Sequence, residues 1–495
     1  MSFLIPEKSD LMLKAQPVDL ENDSLSSATL PTLTPDEIAF YLTDGYWNET
    51  GWFRHSHSST LNANGSISID ISTLNTEGKA AAQWALQTWA MTTGITFSFV
   101  IGGSDILFDD SLNDPNGGAW ATSSLVHVAA DWNSWDQDAD SYYYQTFLHE
   151  IGHALGLGHA GNYNGSAGYA TDGSGDNDYL NDSWQMTVMS YFSTDENTTV
   201  DDWNWDTYLA TPMLADILAI QDLYGNLGGR QIGNTIWGEG SNVGGYLGTY
   251  LTADRGFIIV DDGGVDTINF SNETANQTVD LTPESISSVG GLTGNMVIMR
   301  DTIIENFKSG SGNDFIFGNI ADNGLWGGDG KDVIKGEGGE DIIRGDKGDD
   351  VLNGNHNADV IIGGLGNDIL RGGGGRDILN GGDGDDTLRG GIGRDKLTGG
   401  AGADTFVFKD GWSVDKINDF EDNVDTIELD SALWGGGAMT VADLLNPANG
   451  YASVEANNGN SGFHVELNFG GGDILKIHGI SDLSLLDAND ITLIF

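Results

Sequence analysis

Residues 149–159 read His149-Glu150-Ile151-Gly152-His153-Ala154-Leu155-Gly156-Leu157-Gly158-His159. Two histidines four apart lie on one face of a helix, one turn from each other, so His149 and His153 can offer imidazole nitrogens to the same metal ion. Glu150 is offset from that face and can reach a water beside the metal rather than the metal itself. Gly156 tolerates positive φ, which turns the chain out of the helix and lets His159 supply a third nitrogen from another direction. Three protein nitrogens leave one coordination position open, the arrangement of a catalytic rather than a structural zinc.

The segments around this motif read as a mixed α and β domain. The metal helix should run from about Ser141 through Leu155. Before it, Pro35 to Leu42 reads as a short helix, Ser66 to Ile71 alternates as a strand, and Thr76 to Met91 sets Ala80, Trp84, Ala85 and Trp89 at helical spacing before Gly94 ends the run. Ile95 to Val100, Ile106 to Phe108 and Val126 to Ala130 read as further strands. After it, a polar, glycine-rich loop spans 156–184, and a last helix is expected with Thr211 as cap, Pro212 at its first position and Gly225 at its end. These features place a first domain at 36–227, behind a polar, aperiodic leader at 1–35.

The motif resembles the extended zinc signature of the metzincins, which implies a methionine turn downstream, and Val188-Met189-Ser190-Tyr191 provides one. By itself Met189 would read as core packing; by resemblance it forms the apolar floor beneath the ligands. The match is closer to serralysins. It rests on His149 to His159, Gly161-Asn162-Tyr163-Asn164, Met189-Ser190-Tyr191, and the helix from Met213-Leu214-Ala215-Asp216-Ile217 to Tyr224-Gly225. The resemblance implies that Tyr191 is an extra zinc ligand able to swing away and donate to an oxyanion, with Glu150 as general base. It also implies that Ala119, Trp120 and Ala121, after Gly118, form an edge strand pairing with an extended peptide substrate.

Residues 310–407 repeat every nine positions in the pattern G-G-x-G-x-D-x-U-x. The aspartate recurs at Asp314, Asp332, Asp341, Asp350, Asp359, Asp368, Asp377, Asp386, Asp395 and Asp404, with Asn323 alone breaking the series. Two positions after each comes a large apolar residue, from Ile316 to Phe406. Glycines allow tight turns with inward carbonyls, the aspartates add carboxylates, and an all-oxygen ligand set suits a hard cation. The apolar position points the other way and would be buried by stacking, giving a parallel β-roll. The nonapeptide resembles that of RTX proteins, which implies several calcium ions held by Asp332 through Asp395, and Asn323 puts the site it would share in doubt. A glycine-rich linker would not keep every apolar residue in register.

The expected architecture is thus multidomain: an α+β metzincin-like zinc protease domain followed by an all-β parallel β-roll. A β segment at 228–309 would join to the roll at 310–408, and 409–495 would cap it. The chain's last residues, Asp490-Ile491-Thr492-Leu493-Ile494-Phe495, resemble an uncleaved type I secretion signal, although a capping strand would look the same.

Composition agrees. The chain has 74 acidic and 20 basic residues, a formal charge of −54, which argues against nucleic acid or an anionic membrane as partner and for cations. No cysteine is present, so metal must be held by histidine or carboxylate. No apolar run is long enough to insert into a membrane, and Glu7, Lys8 and Asp10 break the N-terminal stretch where a signal peptide would lie. The expectation is a monomeric, secreted zinc endopeptidase with one zinc, acting on proteins and peptides and exported by type I machinery. A calcium-dependent adhesion protein would leave the zinc motif unexplained; a hydrolase of esters or non-peptide amides would not.

Overall fold

In the computed structural model, residues 30–494 are described except 112–117, 130–140, 164–166, 173, 194–196, 198–207, 410, 412, 457–462, 479 and 481. Most of the expected leader, together with Ala130, Asn164 and Phe495, lies outside the described residues.

Alternating apolar residues build the first sheet. Strands β1 (Ile67–Asp70), β2 (Phe97–Phe99), β3 (Ile106–Asp109), β4 (Ala119–Thr122) and β5 (Leu125–Val128) lie in the order β2-β1-β3-β5-β4. All pairs are parallel except β4 on β5, and β4 is the last strand in the order among the described residues. Ile67, Ile69, Ile106, Phe108, Val126 and Val128 are buried and share one core with the helices Thr76–Thr93 and Tyr142–Leu155. Each such side chain contributes about 1.5–3 kcal/mol by leaving water. Asn75 caps the first helix by accepting the Gly78 amide at 2.7 Å, and Gly94 ends it at φ 78°. The two helices are tied by the buried Trp89, whose indole donates to the Leu148 carbonyl at 3.0 Å.

Two helix expectations need correction. The helix beginning at Pro35 does not stop near Leu42: after Phe40 it widens to a π turn over Tyr41–Gly45 and resumes through Thr50. The last helix of the domain spans Leu214–Tyr224 and starts later than Thr211-Pro212 suggests. The buried Asp216 accepts the Met213 amide at 2.8 Å and fixes the start there, while the Thr211 hydroxyl accepts the Ile258 amide at 2.9 Å.

The nonapeptides wind into two parallel sheets, successive repeats alternating between them. Leu325, Ile343, Ile361, Leu379 and Leu397 stack in register in one sheet; Ile316, Ile334, Leu352, Leu370, Leu388 and Phe406 stack in the other. All of them are buried. The sheets extend past the repeats at both ends. Ile236–Gly238, Thr267–Asn269 and Thr278–Asp280 pair into them before residue 310. After the repeats, Asp473–His478 pairs with Val414–Ile417, and Ile491–Ile494 with Thr426–Asp430. The segment 228–309 is not purely β. Its helix Gly245–Tyr250 places Tyr246 4.2 Å, ring to ring, from Tyr144 of the metal helix and so joins the roll to the first domain. Among the described residues, no helix is long and apolar enough to cross a membrane.

Candidate metal centre

Helix Tyr142–Leu155 carries His149, Glu150 and His153, and Gly156 at φ 116° breaks it. A side chain at Gly156 would also run into the His55 carbonyl, its Cβ only 2.3 Å from that oxygen, so glycine is demanded twice. Past the break, His159 folds back. One nitrogen of each of His149, His153 and His159 lies within 4.8 Å of the other two.

Hydrogen bonds fix the ring orientations. His149 Nδ1 faces the Val188 carbonyl at 2.8 Å, and His153 Nδ1 faces the Leu157 carbonyl at 2.9 Å. A carbonyl can only accept, so both Nδ1 atoms carry the proton and both Nε2 atoms present lone pairs. His153 Nε2 stands 3.0 Å from His159 Nε2. Burial holds all three rings neutral: His149 is pushed down to about 4, His153 to about 3, and His159 well below its ordinary value, with neighbouring imidazoles adding to the last two. Converging neutral imidazoles oriented through Nδ1–H to backbone oxygen are the donor set for a divalent zinc ion.

Glu150 is buried next to this cluster. Burial pushes its carboxyl up to about 8, and its Oε2 has no hydrogen-bond partner. Beneath the ligands lies the fully buried Met189, against Gly152, where any side chain would meet the methionine sulfur. The half-buried Tyr191 ring sits 4.6 Å from His159 and 5.7 Å from His149. Strand β4, with Ala119, Trp120 and Ala121, runs along the metal helix as the outermost described strand of the sheet. The Trp120 ring stacks on His127 at 5.4 Å.

Sequence reasoning gave no role to Asp216 or Asp182. Asp216 accepts the Val188 amide at 2.8 Å and the Thr187 hydroxyl, holding the methionine turn from one side. Asp182 accepts the Ser190 hydroxyl at 2.7 Å and Tyr163 at 3.2 Å from the other. Burial pushes both carboxyls up to about 7. A buried carboxylate beside an otherwise apolar helix is the only trace of this in the sequence.

In the roll, each repeat aspartate bonds the coil before it. Asp332 Oδ1 accepts the Asp314 amide and Asp350 Oδ1 the Asp332 amide, both at 2.8 Å. The second oxygens of Asp332, Asp341, Asp350, Asp359, Asp368, Asp377, Asp386 and Asp395 are buried without a donor. Burial, aided by neighbouring carboxylates, pushes Asp332, Asp359, Asp368, Asp377 and Asp386 up to about 7. Orphaned carboxylate oxygens among backbone carbonyls fit a hard cation.

Two family descriptions match the chain: the serralysin C-terminal region of peptidase family M10 over residues 226–478, and the reprolysin-like metallopeptidases of family M12B over residues 72–216. Metallopeptidase AprA of Pseudomonas marginalis is 37% identical over 284 residues, 54% of this chain and 58% of that one. Serralysin of Photorhabdus luminescens is 36% identical over 273 residues, 52% of this chain and 55% of that one. Serralysin C of Dickeya chrysanthemi is 33% identical over 294 residues, 54% of this chain and 60% of that one. The chain thus spans a little over half the length of the curated relatives it matches.

Proposed function

This chain belongs to the serralysin-type metzincins, and on that premise we propose that it is a secreted zinc-dependent endopeptidase whose C-terminal roll is ordered by calcium. One observation carries the catalytic half: three neutral imidazoles converge, His159 buried and His149 and His153 half-buried, the latter two locked by Nδ1–H bonds to backbone carbonyls. They would hold zinc. When bound, zinc supplies Lewis acidity that makes water acidic near neutral pH and polarises a carbonyl.

The remaining steps belong to the chain's own residues. Glu150 is placed to take the proton of the attacking water and return it to the leaving amine. Tyr191 is positioned to donate to the oxyanion, and Met189 keeps the floor of the site apolar. Strand β4, last in the sheet order among the described residues, would pair with an extended peptide, which favours a protein substrate over a small ester. In the roll, Asp332 through Asp395 would hold calcium through oxygens that otherwise lack a partner. Export by type I machinery suits a roll that orders only where calcium is plentiful.

The test is hydrolysis of casein by the full chain before and after a zinc chelator, with zinc then restored. Loss and recovery of cleavage would support the assignment; cleavage indifferent to the chelator would contradict it.

A further inference from the structure

Asn323 occupies the aspartate position of its nonapeptide, and its surroundings differ in kind from those of the repeats after it. In the repeats from Asp332 to Asp395 the second carboxylate oxygen is buried without a donor. At this turn the amide nitrogen of Asn323 donates to the carbonyls of Ile304 at 3.2 Å and Glu305 at 3.1 Å. Its oxygen accepts the Asn319 amide at 2.8 Å. Asn319 repeats the arrangement, donating through its side-chain nitrogen to Ile304 at 2.8 Å and Leu281 at 3.2 Å. Both side chains are buried.

On the opposite edge of the same coil both carboxylate oxygens of Asp314 have donors, while the carboxamide oxygen of Gln277 is buried without one. Asp314 accepts the Gln277 amide at 2.6 Å through one oxygen and the Ser309 hydroxyl through the other, and Ser309 in turn accepts from the Gln277 side chain at 2.7 Å. Neither edge of this coil leaves a carboxylate oxygen without a donor, whereas the next repeats, at Asp332 and Asp341, both do.

A carbonyl oxygen has two lone pairs, and the oxygens of Ile304 and Glu305 each receive two N–H donors, Ile304 from Asn319 and Asn323 and Glu305 from Asn323 and the Gly324 amide, while the carboxamide NH2 groups carry positive partial charge where a cation would sit. We infer that the turn around Asn319 and Asn323 is a metal-free plug, and that the first coil of the roll, about residues 304–323, is held without a cation by these side-chain hydrogen bonds together with the backbone ladder of its strands. The calcium-dependent series then starts at Asp332. The inference rests on the reading of Asp332 through Asp395 as calcium ligands.

Backbone hydrogen exchange of the full chain, followed by mass spectrometry at about pH 8 with excess chelator or with calcium, tests it. Peptides covering 304–323 should stay protected in chelator while those covering 333–404 lose protection and regain it with calcium. Simultaneous loss in both regions would overturn the plug alone; protection of both in chelator would overturn the calcium reading and the inference with it. Asn323→Asp supplies the second arm, read by bound calcium per chain. A carboxylate cannot donate, so this variant should lose protection of 304–323 in chelator and bind one calcium more than the parent; an unchanged count and unchanged protection would overturn the assignment.

Discussion

Val188 joins Asp216 to His149: its amide donates to Asp216 Oδ2 at 2.8 Å and its carbonyl accepts from His149 Nδ1 at 2.8 Å. Asp216 therefore orients His149 through one residue, Val188. Asp216→Ala would leave the Val188 and Met213 amides and the Thr187 hydroxyl buried without an acceptor, at a cost on the order of 2–5 kcal/mol. The expected outcome is a lower Tm together with zinc affinity weakened by about 10–100-fold. Loss of stability with unaltered zinc affinity would confine Asp216 to the fold.

Tyr191→Phe removes only the hydroxyl from a ring that stays in contact with His159. Turnover is expected to fall by about 10²–10³-fold while KM and zinc content change little, because the hydroxyl acts on charge that develops during reaction. Steady-state kinetics with zinc analysis on the same sample decides this. An unchanged kcat would remove Tyr191 from the chemistry.

The raised carboxyls of the roll predict that acid can stand in for calcium. Asp332, Asp359, Asp368, Asp377 and Asp386 lie at about 7 in the folded roll, against about 3.9 in an unfolded chain. Between those limits the folded, cation-free state binds more protons than the unfolded one, so its stability rises as pH falls and is lost as pH rises through about 7. In chelator, circular dichroism of the full chain should gain β signal as pH is lowered from about 8 to about 5. A signal that falls or stays constant would contradict the titration.

Much of this was legible in the sequence because its determinants are local. His149, His153 and His159 fall within eleven consecutive residues, so helix geometry and one glycine suffice to converge them. The roll announces itself because every coil repeats the last. What stayed hidden depends on distant partners. Asp216 meets Thr187 and Val188 from 29 and 28 residues away, and no periodicity records such a contact. Asn323 reads as a flaw in a series until its donors are seen to reach Ile304 and Glu305. The start of the last helix was misplaced because Thr211-Pro212 has the right cap chemistry, yet Asp216 holds the Met213 amide instead.

Replacing His153 by Ala should abolish zinc retention, since two imidazoles remain where three converged. Dialysis against limiting zinc followed by metal analysis reads the result. A His153→Ala chain that keeps a full equivalent of zinc would exclude this cluster as the binding site.

We propose that Glu150 serves as base to a zinc site it does not ligate. Glu150→Gln preserves shape but cannot take a proton, and its neighbours His149 and His153 are left in place. The direct measurement is cleavage of a mixed peptide pool by the zinc-replete parent and the zinc-replete variant, with metal content determined on the same samples. The account predicts one zinc per chain in both proteins and cleavage reduced by about 10³-fold or more in the variant. Cleavage retained in a zinc-loaded Glu150→Gln protein would contradict it.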